Sequence, residues 1–372
     1  MPNIFEYLHW RGDVPLSVSP FNHVDNLILS ELVYTDFEGI VSNDGTAISL
    51  SEARKRFFAL HNRLDIQARA SHSYTAPAPF LMDSMQEGAR FRDIRLCCYE
   101  AVTNPDAAAQ FAAGTFLLPD HTAFVAFRGT DGTVVGWKED MILSYQSNTV
   151  GQLCALDYLT RVGALTQLPL RVGGHSKGGH LAIFAAAHCI PSLQDRLLCV
   201  WSNDGPGFRD DVRLLEGYRR IQDKCISIVP ATSVIGMMLE CDCERRVVQS
   251  TASGLVQHDG FSWECGPTDF IPASPTRKGS YLEKTLDNWV ARQDDATLRS
   301  LVDSLFSLFE ATGEETFHSM TTKKRRSAEL MVAALRALPR EKQRELLAAT
   351  GRLVQSTGAS ARMLLEKKSL RD

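Results

Sequence analysis

The sequence predicts an α/β fold, a mostly parallel sheet covered by helices on both faces and followed by a helical C-terminal appendage. Three observations carry that expectation. From Ile94 onward, short apolar runs alternate with helical patterns, the order that builds parallel strands joined by crossover helices. Within this alternation, Val172-Gly173-Gly174-His175-Ser176-Lys177-Gly178-Gly179-His180 sets a serine among glycines, after an apolar strand and before a helix of small residues. After about Gly279 the strand signals stop and amphipathic helical patterns take over. The chain accordingly divides into a sheet domain over 1–279, with a helical leader over 1–90 and a core sheet over 94–265, and an appendage over 280–372.

Each element follows from local pattern. In the leader, Asp25 to Tyr34 reads as a capped helix and Ser51 to His61 as another, while Arg11-Gly12-Asp13 reads as a loop. Strands are expected over Ile94 to Val102, Phe111 to Leu118 and His121 to Phe127, the last two joined as a hairpin by Pro119-Asp120. A helix follows over Gln152 to Val162, then a strand from Leu168 into the serine motif and a helix through Leu181 to Ala187. Further strands are expected over Leu197 to Ser202, Cys225 to Val229 and Arg246 to Ser250. In the appendage, Tyr281 to Gln293 and Ala296 to Ala311 read as helices, the second with Leu298, Leu301, Val302, Leu305, Leu308 and Phe309 on one face. Lys323-Lys324-Arg325-Arg326 reads as the solvated opening of another helix. Pro339 suits the first turn of a last helix carrying Leu346, Leu347, Leu353 and Val354.

Composition narrows the function classes. The 372 residues are 44% hydrophobic and 23% charged, values ordinary for a soluble globular protein. A net charge of −4 gives no basic footprint for nucleic acid. No basic region followed by an apolar core opens the chain, and no apolar run reaches membrane-spanning length. Nine cysteines scattered through apparent strands and helices fit reduced thiols and a cytoplasmic location. Cys241, Cys243, His258 and Cys265 invite a zinc reading, but C-x-C spacing suits a tetrahedral site poorly. Neither a metal nor a cofactor is expected.

The serine motif fits a strand-to-helix nucleophile elbow. A serine hydroxyl is a weak nucleophile at neutral pH, so it needs a histidine to take its proton and a carboxylate to hold that histidine's tautomer. Downstream of Ser176 lie His180 and His188 on the elbow helix, His258 after the last strand, and His318 in the helical tail. His258 is the expected base. For the acid, Asp204 sits directly after the strand that follows the elbow helix, at the sheet end where ligands gather. Glu240, Asp242 and Asp259 are the alternatives. Ahead of the elbow, Phe127-Arg128-Gly129-Thr130 ends an apolar strand. The backbone N–H groups of Thr130 and Lys177 are the natural pair to meet charge on a carbonyl oxygen, and Arg128 reads as a brace for the loop.

These motifs, taken in order, resemble the class 3 lipases, in which a Phe-Arg-Gly-Thr/Ser loop precedes Gly-His-Ser-x-Gly and a histidine follows the final strand. The matching residues are Phe127 to Thr130, Gly174 to Gly178 and His258. More closely, the chain resembles an uncharacterised bacterial lipase-like family bearing Gly-His-Ser-Lys-Gly-Gly, Asn-Asp-Gly-Pro-Gly-Phe and Gln-His-Asp-x-Phe-Ser-Trp, here Gly174 to Gly179, Asn203 to Phe208 and Gln257 to Trp263. The resemblance implies an α/β-hydrolase fold and hydrolysis of a carboxylic ester through an acyl-enzyme. One departure stands out: class 3 lipases carry their acid after the strand matching Cys225 to Val229, where this chain has no carboxylate. An acid one strand earlier, as in pancreatic-type lipases, again points to Asp204. The expected partner is a small acyl ester or lipid, and a thioester or lysophospholipid serves the same chemistry. The segment from Asp131 to Asn148 shows no strongly apolar helix that reads as an interfacial lid. The competing class is a non-catalytic binding protein on a hydrolase scaffold.

Overall fold

The computed structural model describes residues 2–70, 75–104, 109–131, 134–143, 145–233, 235–236, 238–274, 294–314, 323–346 and 348. Eight strands form one sheet in sequence order: β1 (Ile48–Ser49), β2 (Arg95–Asn104), β3 (Ala109–Leu117), β4 (Ala123–Phe127), β5 (Leu170–His175), β6 (Leu197–Asn203), β7 (Cys225–Pro230) and β8 (Glu244–Val248). The first four pair antiparallel and β4 through β8 pair parallel. Several strand limits differ from the sequence expectation by one or two residues, those of β4 and β8 among them. β4 starts at Ala123 because His121 takes φ 59° inside the turn, where its N–H donates to the Leu118 carbonyl at 3.2 Å. β8 starts at Glu244 and ends at Val248, in register with Ile226 to Pro230.

The period of two along the strands sorts side chains between two cores. Phe124 and Ala126 of β4 face a cluster built with α1 (Ile4–Arg11), α2 (His23–Leu32), α3 (Leu50–Leu60) and α5 (Leu81–Glu87), whose apolar residues include Leu8, Leu27, Ile28, Phe57 and Met82. A fourth leader helix, α4, spans Arg63–Ala70. Ala123, Val125 and Phe127 face the other core, which holds Ala155, Tyr158 and Leu159 of α7 (Val150–Leu165) and Leu181 to Ala187 of α8 (Lys177–His188). Helices on both faces of a largely parallel sheet, with a serine turn between β5 and α8, constitute the α/β-hydrolase fold.

Helix α2 starts two residues earlier than its sequence pattern implied. Asn22 is the N-cap, accepting from Val24 and Asp25, while the Asp25 side chain accepts from the Asn22 N–H at 2.8 Å. Asp25 is also the partner of Arg90, whose guanidinium bonds the carbonyls of Val14, Ser19 and Pro20 as well. One buried ion pair thus ties Arg90 and the segment from Val14 to Pro20 to α2.

The chain forms two compact units, Met1–Asp131 with Asn148–Thr276, and Gly132–Ser147 with Arg277–Asp372. In the second unit, residues Val134–Ile142 form helix α6. Val134 and Tyr145 pack against Leu298, Val302 and Phe306 of helix Asp295–Glu310. Leu301 and Leu308 of that helix contact Leu346, with Met331 and Leu335 of helix Lys324–Ala337 alongside. Arg325 in the basic run is exposed and paired with Glu329. The expected helix over Tyr281 to Gln293 lies outside the described residues, as do His318, Leu347, Leu353 and Val354. Among the described residues no helix is long and apolar enough to cross a membrane.

Candidate active site

Ser176 sits where β5 hands over to α8. Its backbone takes φ 56° and ψ −130°, a conformation that costs a residue with a Cβ about 1–3 kcal/mol. The turn is held because the Ser176 N–H donates to the Asn203 carbonyl at 2.8 Å and the Gly179 N–H returns to the Ser176 carbonyl at 2.9 Å. Helix α8 must lie almost on β4 for this geometry, and Gly178 permits it: a Cβ there would stand 2.0 Å from the Phe127 carbonyl oxygen.

Asp204 follows β6 and is fully buried. It too takes a positive φ, 52°, and its N–H is fixed by the Ile228 carbonyl at 2.8 Å. Its carboxylate meets two donors. The Ser233 hydroxyl donates to Oδ1, and the Nδ1–H of His258 donates to Oδ2 at 2.7 Å. With Nδ1 donating, the neutral His258 ring keeps a lone pair on Nε2. His258 ends the short 3₁₀ helix Gly254–His258, one-fifth exposed at its side chain.

The other acids expected as alternatives stand elsewhere. Glu240 and Asp242 both pair with Arg213 at the surface. Asp259 caps the following turn by accepting the Phe261 N–H at 3.0 Å, and burial pushes its carboxyl up to about 6.

Thr130 follows a glycine that lies against the elbow, and Lys177 follows the serine itself. Gly129 lies so close that a Cβ there would be 2.4 Å from the His175 carbonyl oxygen and 3.1 Å from the Ser176 Cβ, which brings the Arg128-Gly129-Thr130 loop against the elbow. Lys177 opens α8 directly after the serine. Its side chain runs back through the core, with Nζ donating to the Gln110 carbonyl at 2.8 Å.

Several residues of the motifs hold the site rather than face it. His180 is buried, and burial lowers its imidazole to about 4. Its Nδ1–H donates to the Gly207 carbonyl at 3.0 Å while Nε2 accepts from Gln152 at 2.8 Å. Trp263 donates its indole N–H to the Gln257 carbonyl at 2.9 Å, and Gln257 accepts the Thr232 N–H at 2.8 Å, fixing the chain on either side of His258. Cys241 and Cys243 pack around the Tyr218 hydroxyl, and all nine cysteines are free thiols.

Sequence reasoning missed the polar layer beneath the elbow. Asn203 donates to Gly174 and exchanges amide bonds with Asn26 of α2, the shorter at 2.8 Å. Ser233, Glu31 and Tyr34 were missed as well, and only their tertiary placement marks them.

The Mbeg1-like family profile matches residues 85–307. The solved M37 lipase aligns with 58% of this chain and 70% of its own at 14% identity, with a TM-score of 0.33. No curated protein matches the chain. The profile spans more than half of the sequence and takes in Ser176, Asp204 and His258, and by that match the chain belongs to the Mbeg1-like family.

Proposed function

We propose that the chain is a serine hydrolase that cleaves a carboxylic ester through an acyl-enzyme. Ser176 Oγ attacks the ester carbonyl while His258 Nε2 takes the hydroxyl proton, and the carbonyl oxygen becomes an oxyanion facing the N–H groups of Thr130 and Lys177. Collapse of this intermediate breaks the ester C–O bond, and the imidazolium returns its proton to the departing alcohol. Water then repeats the sequence on the acyl-serine and releases the acid. Asp204 stays ionised throughout, orienting His258 and stabilising its cationic form.

The observation that carries this reading is the 2.7 Å contact between Asp204 Oδ2 and His258 Nδ1, at the end of the strand whose Asn203 carbonyl receives the Ser176 N–H. Supporting it, Ser176 stands in a strained conformation at the strand-to-helix turn between β5 and α8. The substrate class that follows is an acyl ester or lipid.

A fluorophosphonate probe should label the wild-type protein on Ser176 and leave Ser176→Ala unlabelled. Turnover of short-chain p-nitrophenyl esters, an acyl thioester and a lysophospholipid then ranks the leaving groups. Absence of labelling in folded wild-type protein would defeat the proposal.

A further inference from the structure

Beside the Asp204–His258 pair lies a second histidine that this mechanism does not use. His175 is the last residue of β5 and is buried. Its Nε2 lies 2.7 Å from the backbone carbonyl of His258, and its ring lies against the His258 ring with centroids 4.7 Å apart. A carbonyl oxygen only accepts, so Nε2 carries the hydrogen, and in the neutral ring Nδ1 is a bare acceptor. Facing Nδ1 are the Tyr34 hydroxyl at 3.4 Å and Glu31 Oε1 at 3.5 Å.

We propose that His175 is a neutral positioning residue for the base His258, holding its backbone through the Nε2–H bond with a protonated Glu31 behind it. The inference rests on the hydrolase reading, since it assigns a task only if His258 is the base.

The groups facing this pair favour the neutral state on both sides. An ionised Glu31 would set an anionic acceptor against the bare Nδ1. Glu31 Oε1 is buried with no hydrogen-bond partner among the described residues, an arrangement costly for a carboxylate. Burial first, and the neighbouring Asp259 second, hold the Glu31 carboxyl well above its ordinary range. Burial first, and His258 second, hold His175 well below the ordinary imidazole value. The titratable groups around the pair are therefore Glu31 in the last turn of α2 and Tyr34 just after it, His258 and Asp259 on the loop after β8, and Asp204 at the end of β6. Trp263 and Tyr34 stand edge-on to the His175 ring, with centroids 6.3 and 6.2 Å away. The consequence is electrostatic as well as geometric: a cation at His175 would oppose protonation of His258, whereas a neutral ring leaves Asp204 to govern the base.

The test compares His175→Phe, which keeps a ring without a donor, with His175→Gln, which keeps an N–H near the Nε2 position. On a short-chain ester, His175→Phe should lose kcat by about 10- to 100-fold, the scale of a small misplacement of a catalytic group, with KM little changed. His175→Gln should recover most of that loss, and the acid limb of the pH profile should keep its midpoint in both. Nitrogen-15 NMR of histidine-labelled wild-type protein should report the neutral Nε2–H tautomer at His175, a measurement that needs no variant to fold. Wild-type kcat in His175→Phe, a displaced acid limb, or an imidazolium or Nδ1–H tautomer at His175 would each overturn the inference. If the wild type is not labelled by fluorophosphonate, the hydrolase reading falls and this one with it; if it is labelled and any of those results appears, only this inference falls.

Discussion

Asp204 is the residue on which the proposed chemistry is most exposed to test. Its two carboxylate oxygens face two donors, the Ser233 hydroxyl and the His258 Nδ1–H. In Asp204→Asn an amide would have to turn its NH₂ toward one of them, setting donor against donor and favouring the other His258 tautomer. Ester turnover should then fall by about 10⁴-fold, as for loss of a triad carboxylate that leaves the geometry intact. Circular dichroism should stay native, and an unchanged rate would move the role of acid elsewhere. This residue also shows what the sequence could and could not convey. Its place after β6 made it the favoured acid, with Glu240, Asp242 and Asp259 left as alternatives. The contact joins positions 54 residues apart, and no local pattern encodes a distance across that span.

At the scale of elements, β5, the serine turn and α8 were the most legible part of the chain. Glycines flanking a serine, an apolar run before it and alanines after it all reflect one demand, close approach of a helix to a sheet. What holds α8 from outside was less legible. His180 bonds Gln152 of α7 on one nitrogen and Gly207 on the other, so three separate segments meet at one neutral imidazole. Because its folded-state value is lowered to about 4, the unfolded chain binds the proton first as pH falls. The stabilisation is present above the ordinary value near 6.5 and is lost as pH falls from there through about 4, by about 3 kcal/mol in all. Urea unfolding at about pH 7 and about pH 4 should show that loss for the wild type. His180→Phe, which can keep the stacking on Phe208, should show a smaller difference between the two pH values. An equal pH dependence in both proteins would contradict a neutral buried His180. The limits of β4 and β8 were misjudged for a related reason: propensity marks a run of residues, while register with the neighbouring strand sets where pairing stops.

Across the whole molecule, the leader is an integral layer of the first unit. Asn3 and Asn22 cap its first two helices, Phe5 stacks on Phe261 three residues beyond the candidate base, and the Cys265 N–H donates to the Pro2 carbonyl at 2.7 Å. Arg90 and Asp25 are both almost wholly buried. Arg90→Ala would leave Asp25 as an unpaired buried charge and should destabilise the protein by about 3–5 kcal/mol. Thermal unfolding would read this as a fall in Tm, and a Tm equal to wild type would show that the pair contributes little. Residues 132–147 illustrate the limit of composition at this scale. They contain no strongly apolar run, yet α6 forms there and packs Val134 with residues near position 300, a partnership that periodicity alone does not announce.

By itself the sequence determined the class of the fold, the serine turn and the histidine after the last strand, because each is written in short-range pattern: strand period, glycine at a crowded turn, residue order. Tertiary structure decided which carboxylate meets His258, which helices share a unit with residues 132–147, and that His175, Glu31 and Tyr34 gather beneath the candidate base. The physical reason is common to all three. They depend on packing between segments far apart in the chain, where burial changes what a carboxyl or an imidazole can be, and that environment exists only once the chain has folded.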